Sequence, residues 1–214
     1  MSDGQVTSQQ HESPLPATQG REYAQRLCDL EASRWKRLLD VQRPYRWNLR
    51  RWRLGRVLDV GCGIGRNLVS LGPASVGVDH NEHSIEIARA RGLTAYTPDE
   101  FFAGPQSRPA SFDSMLVAHV VEHMPLAQAD ELVARYLPAV RPGGAVLFIC
   151  PQEKGYASDP THVTFVDAEM LQTLGLVHGL AAVRSYSFPL PRIAGRYFAY
   201  NEFCVLMQVP GTAS

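Results

Sequence analysis

A short glycine-rich turn between two strand-like segments constrains this chain more than any other feature. The apolar run Val57–Val60 leads into GCGIG at residues 61–65, and a second apolar run, Ala74–Val78, ends at Asp79. Glycines after a buried strand let a ligand approach the backbone closely, and an acid after the next strand can accept both ribose hydroxyls. The pattern predicts a nucleotide-type cofactor site, although a nicotinamide dinucleotide site or a scaffold without a cofactor also fits the glycines alone.

The remaining segments alternate between short apolar runs and amphipathic helices. Strands are predicted at 56–60, 74–78, 93–96, 112–118 and 145–150, with helices at 82–91, 126–140 and 168–174. Near-continuous apolar strands need cover on both faces, which is typical of a parallel sheet between helices. Two further strands at 177–188 and 198–209 predict a C-terminal antiparallel hairpin. We therefore expect an α/β fold: a Rossmann-like, doubly wound, mostly parallel sheet with N-terminal helices and that hairpin.

Composition divides the chain into three parts. Residues 1–20 are polar, without a basic start or an apolar stretch, and are predicted to be a disordered leader rather than a secretory signal. Residues 21–55 carry a helical apolar repeat, interrupted at Pro44, and are predicted to form an N-terminal helical cap. Residues 56–214 hold the predicted strands and form the predicted main domain.

Charge and cysteine content exclude several classes of protein. The 21 basic and 21 acidic side chains give a net charge of zero, which disfavours a protein that binds nucleic acid over its whole surface. The balance is uneven, because residues 21–56 hold eleven basic and four acidic side chains. The four cysteines form no CxxC pair, which disfavours a disulfide framework or a zinc knuckle. No apolar run reaches about 18 residues, so we expect a cytoplasmic protein with no membrane partner.

Four segments together resemble a known enzyme family. VLDVGCGIGRN and GVDHN resemble the first two motifs of class I S-adenosylmethionine-dependent methyltransferases. FDSMLVAHVVEHMP resembles their fourth-strand motif, and LPAVRPGGAVLFICP resembles the turn and strand that follow. The motifs occur in the usual order between Arg56 and Pro151. The resemblance implies S-adenosylmethionine as the cofactor and methyl transfer as the reaction.

The resemblance also implies a set of cofactor contacts. Gly61 and Gly63 would flank the amino acid and ribose of the cofactor, Asp79 would accept the ribose hydroxyls, and Asp59 would organise the loop or contact the ammonium group. The full implied set is Asp59, Gly61, Cys62, Gly63, Asp79, His80, Asp99, Ala118 and His119. A packing role also fits the cysteine, and Asp99 also fits an acid in the first turn of a helix.

A cluster rich in histidine and glutamate follows the fourth predicted strand. His119, Glu122 and His123 form the pattern HxxEH, and His162 follows in DPTH. HxxEH is also the pattern of inverted zinc peptidases, in which both histidines lie on one long helix. The cluster resembles more closely the ExxEH pattern with a downstream histidine of some magnesium-dependent O-methyltransferases. That resemblance implies Mg²⁺ or another divalent cation on Glu122, His123 and His162, with His119 in place of the first acid.

The same histidines can also act without a metal. His119, His123 and His162 are candidate catalytic residues, because an imidazole near its usual pKa can take the proton of an acceptor hydroxyl. The methyl donor is already activated, so the reaction requires no protein nucleophile.

Absent motifs narrow the choice of acceptor. The chain has no Asn/Asp-Pro-Pro-aromatic motif after the fourth strand and no catalytic cysteine pair, which favours a hydroxyl. We expect an O-methyltransferase for a small molecule or a saccharide, similar to actinobacterial enzymes of methylmannose polysaccharide assembly. The alternatives are an RNA methyltransferase, suggested by the aromatic residues in the basic segment, and a non-catalytic S-adenosylmethionine-binding module. Candidate acceptor contacts are Tyr156, His162, Phe165, Arg192, Arg196 and Tyr197, and the oligomeric state is left open.

Overall fold

The computed structural model describes residues 21, 22, 25 and 42–211. The disordered leader predicted at 1–20 and residues 23, 24 and 26–41 of the predicted helical cap lie outside the described residues. From that cap the structure describes the helix α1 (Arg43–Arg50). Within the described part of the chain, no helix is both long enough and apolar enough to cross a bilayer.

One seven-stranded sheet organises the fold. Its strands are β1 (Val57–Val60), β2 (Val76–Val78), β3 (Ala95–Tyr96), β4 (Phe112–Ala118), β5 (Val140–Pro151), β6 (Ala181–Phe188) and β7 (Glu202–Gln208). Their order across the sheet is β3-β2-β1-β4-β5-β7-β6. Strands β1 to β5 are parallel, whereas β7 is antiparallel to both β5 and β6. The predicted mostly parallel α/β sheet with a C-terminal antiparallel hairpin is confirmed, with β7 inserted between β5 and β6.

Helices cover both faces of this sheet. After α1 they are α2 (Glu82–Ala90), α3 (Pro98–Ala103), α4 (Leu126–Tyr136), α5 (Glu153–Tyr156) and α6 (Ala168–Val177). Side chains of β4 alternate between the two faces: Met115 and Val117 pack in a core with α3, α4 and α6, and Leu116 and Ala118 pack in a core with α1. This two-sided burial explains why β4 is a continuous apolar run in the sequence.

The boundary between α6 and β6 differs from the prediction. Asp167 is the N-cap of α6 as expected, since its Oδ1 accepts hydrogen bonds from two backbone N–H groups at 3.0 and 2.9 Å. The helix continues to Val177 instead of ending at Leu174, and β6 begins only at Ala181. The apolar run LGLV fits a helix and a strand equally well, so its periodicity does not distinguish them. Residues 198–201 likewise precede β7 instead of belonging to it.

The topology brings distant parts of the chain to one edge of the sheet. The carboxyl ends of β1, β2, β4 and β5 lie at this edge, and so does the amino end of β7, because β7 runs in the opposite direction. Ligands of open α/β sheets bind at this type of edge.

Candidate active site

A cavity of about 790 Å³ lies at this edge of the sheet. Its volume is within the range of about 300–1,000 Å³ that is usual for small-molecule sites. Six of the predicted cofactor residues line it, namely Gly61, Gly63, Asp79, His80, Ala118 and His119. His123 and His162 line it as well, so the cavity joins the two regions that the sequence singled out.

The glycine loop is held against Asp79. The backbone N–H groups of Gly63 and Asn81 donate to the two carboxylate oxygens of Asp79, each at 2.8 Å. Gly61 has a φ of +75°, and a Cβ placed on it would lie 2.2 Å from a methyl carbon of Val120. The loop therefore needs glycine at position 61 for both its backbone conformation and its close packing. Each oxygen of Asp79 keeps a second lone pair that can accept a ligand hydroxyl.

Asp59 lies in the middle of β1, and its carboxyl group is buried with no hydrogen-bond donor beside it among the described residues. Its side chain is buried, and neither of its oxygens accepts a hydrogen bond from any residue that the structure describes. Burial, together with the nearby charge of Asp79, raises the pKa of Asp59 to about 8. A buried acid of this kind is stabilised by a cation. Asp59 itself does not line the cavity, so a cationic group bound beside the glycine loop would stabilise its ionised form through space.

Three of the nine predicted cofactor residues do not line the cavity: Asp59, Cys62 and Asp99. Cys62 packs in a core with Leu68 and Ile85, and burial raises the pKa of its thiol well above the usual range. Its packing role is thus the one that the structure shows, and only its backbone belongs to the loop. Asp99 is exposed in the first turn of α3, next to Pro98, which does line the cavity.

His119 is held between two carboxylates immediately after β4. Its Nε2 lies 2.9 Å from Oε1 of Glu202, and its Nδ1 lies 3.2 Å from Oε1 of Glu122. Both glutamates are buried, whereas His119 exposes 45% of its side chain. Its φ of +58° lies in the left-handed region, which is unusual for a residue with a Cβ and is often found at functional sites.

This arrangement fixes the charge of His119. Partial burial lowers the pKa of its imidazole, but the adjacent carboxylates of Glu122 and Glu202 outweigh this effect and raise the pKa to about 10. His119 is therefore a cation at neutral pH, and an imidazolium has no lone pair for a proton or a metal ion. The geometry disfavours the predicted role of His119 as a general base, although its predicted place beside the cofactor site agrees with the cavity lining.

The predicted metal-ligand residues come together in the fold. Glu122 and His123 lie in a short 3₁₀ turn after β4, and His162 reaches them from the loop that follows α5. One potential ligand atom from each of the three residues lies within 4.8 Å of the others. The imidazole rings of His123 and His162 are 4.8 Å apart between centroids. The sequence pattern therefore predicted three potential metal ligands that lie close together in the fold, although 40 positions separate Glu122 from His162.

Backbone carbonyl groups orient both imidazoles of this set. Nδ1 of His123 lies 3.2 Å from the carbonyl oxygen of Thr161, and Nδ1 of His162 lies 2.7 Å from that of Tyr156. A carbonyl oxygen only accepts, so Nδ1 is the donor in each ring and Nε2 carries the lone pair of the neutral form. Burial lowers the pKa of His123, which favours its neutral form.

Most of the predicted acceptor contacts lie outside the cavity lining. Of that set, only His162 lines the cavity. Tyr156 instead stacks on His162 at 5.3 Å, and Arg192 pairs with Glu153, with Nη1 2.9 Å from Oε2. Both residues stabilise the site from outside the cavity lining. Tyr156 packs on the ring of His162, and Arg192 holds Glu153 of the neighbouring α5.

Sequence reasoning missed Glu202 as a cavity residue, whereas Tyr200 belongs to the segment 189–200 that was expected to form a wall of the acceptor site. Both line the cavity, and the carbonyl of Tyr200 accepts a hydrogen bond of 2.6 Å from the hydroxyl of Tyr45. Residues that follow a parallel strand are the expected site residues of such a sheet, but β7 is antiparallel and places its first residue, Glu202, at the site. The available sequence signal for Glu202 was an acidic residue near the start of a strand that was predicted to be antiparallel.

The central part of the chain is similar to known proteins. Residues 58–146 match the model of a family described as "Methyltransferase domain". Over 102 residues the chain is 34% identical to the Ubiquinone biosynthesis O-methyltransferase of Paracidovorax citrulli, a match that covers 44% of this chain and 42% of that protein. The chain thus matches less than half the length of this curated relative.

Solved structures extend the likeness to most of the described fold. A SAM-dependent methyltransferase from Archaeoglobus fulgidus superposes with a TM-score of 0.62 at 20% identity, covering 80% of this chain and 98% of that one. The N-methyltransferase NodS from Bradyrhizobium japonicum, solved with S-adenosyl-L-homocysteine, gives 0.63 at 19% identity, covering 87% and 98%. At these identities the likeness shows the fold. Residues 58–146 therefore match a methyltransferase-domain model, and the described chain shares the fold of these solved S-adenosylmethionine-dependent methyltransferases.

Proposed function

We propose that this protein transfers a methyl group from S-adenosylmethionine to a hydroxyl group of a small-molecule or saccharide acceptor. The observation that carries the proposal is the single cavity that joins the Asp79-anchored glycine loop to the imidazoles of His123 and His162. The printed name of the Paracidovorax citrulli relative, an O-methyltransferase, supports a hydroxyl acceptor. When bound, S-adenosylmethionine supplies a methyl group that its sulfonium already activates.

The residues around the glycine loop bind and orient the cofactor in this proposal. Asp79 accepts the ribose hydroxyls with its remaining lone pairs, and Asp59 balances the ammonium charge. Gly61 and Gly63 allow the ligand to approach the loop, and Ala118 borders it at the end of β4. Much of the rate of methyl transfer comes from such positioning, because the acceptor oxygen must approach the methyl carbon in line with the bond that breaks.

The proton of the acceptor hydroxyl is taken at Nε2 of His123 or His162. Both rings donate from Nδ1 to a carbonyl, so Nε2 is the basic atom, and burial favours neutral His123. His119 has a different task here, because its charge is fixed between Glu122 and Glu202. It neutralises two acids next to the acceptor.

A divalent cation on Glu122, His123 and His162 is the alternative to a histidine base, because it would occupy the Nε2 lone pairs that would otherwise take the proton. The donor set fits a metal: the three ligand atoms are close together, Glu122 is ionised because its pKa is lowered by His119 against the effect of burial, and both imidazoles have oriented Nε2 atoms. A bound cation would lower the pKa of an acceptor hydroxyl. Two nitrogen ligands and one carboxylate suit Mn²⁺, Fe²⁺ or Zn²⁺ better than Mg²⁺, which prefers oxygen.

One experiment tests the class of reaction and of acceptor. The full chain is incubated with isotope-labelled S-adenosylmethionine and separate metabolite, glycan and RNA extracts, and the products are identified by mass spectrometry. A gain of one labelled methyl group on a hydroxyl of a discrete metabolite or saccharide is expected. A labelled RNA would replace the proposed acceptor by nucleic acid. Cofactor binding without transfer to any extract would indicate a non-catalytic binding module.

A second experiment separates the metal from the metal-free base, using the acceptor so identified. With a metal, excess EDTA abolishes turnover but leaves cofactor binding intact, and Mn²⁺ restores turnover better than Mg²⁺. Glu122→Ala and His162→Ala then behave like the chelated enzyme, whereas His83→Ala, outside the cavity lining, serves as the control. Full activity in EDTA would overturn the metal, and a loss of about 100- to 10,000-fold in His123→Ala or His162→Ala would then identify the base. Full activity of His162→Ala would exclude both roles for that residue.

A further inference from the structure

The loop between β6 and β7, residues 189–201, exposes an unusual number of large apolar side chains. They are Leu190, Ile193, Tyr197, Phe198 and Tyr200, and they are joined at this edge by Trp47 of α1. We refer to these six residues as the apolar collar. Ile193 and Tyr197 are the most exposed, at 69% and 79%. Isolated exposed apolar residues are common, but five in one short loop are a feature of binding surfaces.

The collar lies beside the cavity. The loop starts where β6 ends and finishes where β7 begins, which is the edge of the sheet that holds the cavity. Tyr200 lines the cavity directly, and its carbonyl is bonded to Tyr45 of α1. Trp47 stacks on Phe188, the last residue of β6, with ring centroids 6.3 Å apart. The loop and α1 thus form one continuous rim.

The rim is also basic. Arg43 and Arg46 lie in the half of α1 that reaches the cavity, the loop adds Arg192 and Arg196, and neither α1 nor residues 189–201 contain an acid. The nearest acid paired to this loop is Glu153, which binds Arg192. The rim therefore attracts an anionic partner, in contrast to the zero net charge of the whole chain.

The combination of side chains distinguishes between anionic partners. Tryptophan, tyrosine and arginine together with exposed aliphatic groups are typical of surfaces that insert into the headgroup region of a bilayer. A nucleic acid uses the arginines and the faces of aromatic rings, but it offers little to the aliphatic side chains of Leu190 and Ile193. We propose that the apolar collar docks the protein on an anionic lipid surface, with the cavity opening beside the bilayer. This inference concerns peripheral contact and does not depend on the proposed methyl transfer.

Vesicle sedimentation of the full chain tests the proposal. Vesicles of phosphatidylcholine with about 30% phosphatidylglycerol are compared with vesicles of phosphatidylcholine alone. We expect partition onto the anionic vesicles that falls steeply between 50 and 500 mM salt, and at least about tenfold weaker partition onto the neutral ones.

A pair of matched double variants locates the contact. Leu190→Ser/Ile193→Ser removes two aliphatic groups of the collar and is expected to weaken partition about tenfold or more. Leu176→Ser/Val177→Ser removes two exposed aliphatic groups at the end of α6, outside the collar, and is expected to leave partition unchanged. Affinity for S-adenosylhomocysteine, measured for each variant by calorimetry, shows that the cofactor site is folded.

Four outcomes would overturn the docking proposal. The first is no partition of the wild-type chain onto either type of vesicle, as expected if another part of the chain covers the collar. The second is equal loss in the two double variants, or no loss in either. The third is binding to a single-stranded RNA oligomer that the collar variant weakens while vesicle binding is absent. The fourth is a dimer in analytical ultracentrifugation that the collar variant alone dissociates, which would assign the surface to a second copy of the chain.

Discussion

Nε2 of His119 lies 2.9 Å from Oε1 of Glu202, although the two residues are 83 positions apart in the chain. The contact connects the end of β4 to the start of β7 and therefore joins the parallel part of the sheet to its antiparallel hairpin. Gln152, which is fully buried, donates to the backbone carbonyl of Glu202 at 3.0 Å and fixes the same point. The positive charge of His119 therefore helps to hold these two strand ends together at the site.

The first prediction follows from this cation between two acids. His119→Gln leaves Glu122 and Glu202 without their positive partner. The free energy of unfolding at pH 7 should therefore fall by about 2 kcal/mol. This loss is smaller than for a fully buried pair, because solvent screens the charge of the partly exposed ring. Urea denaturation in EDTA measures the change. His178→Gln, which removes a partner of Asp130 outside the cavity lining, is the control and should cost less.

The same pair predicts a dependence of stability on pH. The pKa of His119 rises from 6.5 to about 10 on folding, so the stabilisation is fully present below about pH 6.5 and is lost as the pH rises to about 10. The stability difference between the wild-type chain and His119→Gln should therefore shrink from pH 6.5 to pH 10. A difference that stays constant over this range would show that the imidazole is neutral in the folded protein.

The raised pKa of Asp59 predicts that cofactor binding is coupled to the release of a proton. Its pKa is about 8 in the free protein, and a ligand ammonium group nearby favours the ionised form, so binding at pH 7 releases a proton. The affinity for S-adenosylhomocysteine should rise between pH 6 and 7.5, by up to about tenfold per pH unit. Calorimetry in two buffers of different ionisation enthalpy measures the proton release directly. Asp59→Asn should abolish the release, and a release unchanged in that variant would assign the proton to another group.

Asp79 predicts a large loss of cofactor affinity on substitution. Asp79→Ala removes the acceptor of the ribose hydroxyls and the anchor of the Gly63 N–H, which should cost about 2–4 kcal/mol of binding free energy at about 1.5–3 kcal/mol per charged hydrogen bond. Glu82→Ala, an exposed acid at the start of α2, is the control and should bind within threefold of the wild type. An affinity of Asp79→Ala within the same threefold range would place the ribose elsewhere.

The sequence was sufficient to predict the sheet and the position of the glycine loop because their signals are local. The glycine loop, Asp79 and the EH pair each follow a strand of a parallel sheet directly, and parallel carboxyl ends always meet at one edge. Glu202 and the carbonyl contacts of His123 and His162 depend on which segments the fold places side by side, and the spacing of residues along the chain does not carry that information. The charge of His119 was inaccessible for the same reason, since it arises from an acid 83 residues away.

The last prediction concerns the close approach of the glycine loop to the segment after β4. Gly61 and Gly92 both have a positive φ, +75° and +77°, but a Cβ on Gly61 would lie 2.2 Å from Val120, whereas one on Gly92 would meet no described atom within 4 Å. Gly92→Ala should therefore cost only the backbone strain, about 1 kcal/mol of unfolding free energy. Gly61→Ala adds a steric overlap, which should raise the cost by a further 1–3 kcal/mol, roughly the range for overpacked sites.

The overlap also has a consequence for binding, because Val120 and Gly61 both line the cavity. Gly61→Ala must move one of them, so its affinity for S-adenosylhomocysteine should fall more than tenfold, while Gly92→Ala should bind as the wild type does. Urea denaturation and calorimetry on the two variants separate the two effects, since the backbone strain is common to both and the overlap is confined to one. Equal stability and equal affinity of the two variants would show that the loop and Val120 can move apart at no cost.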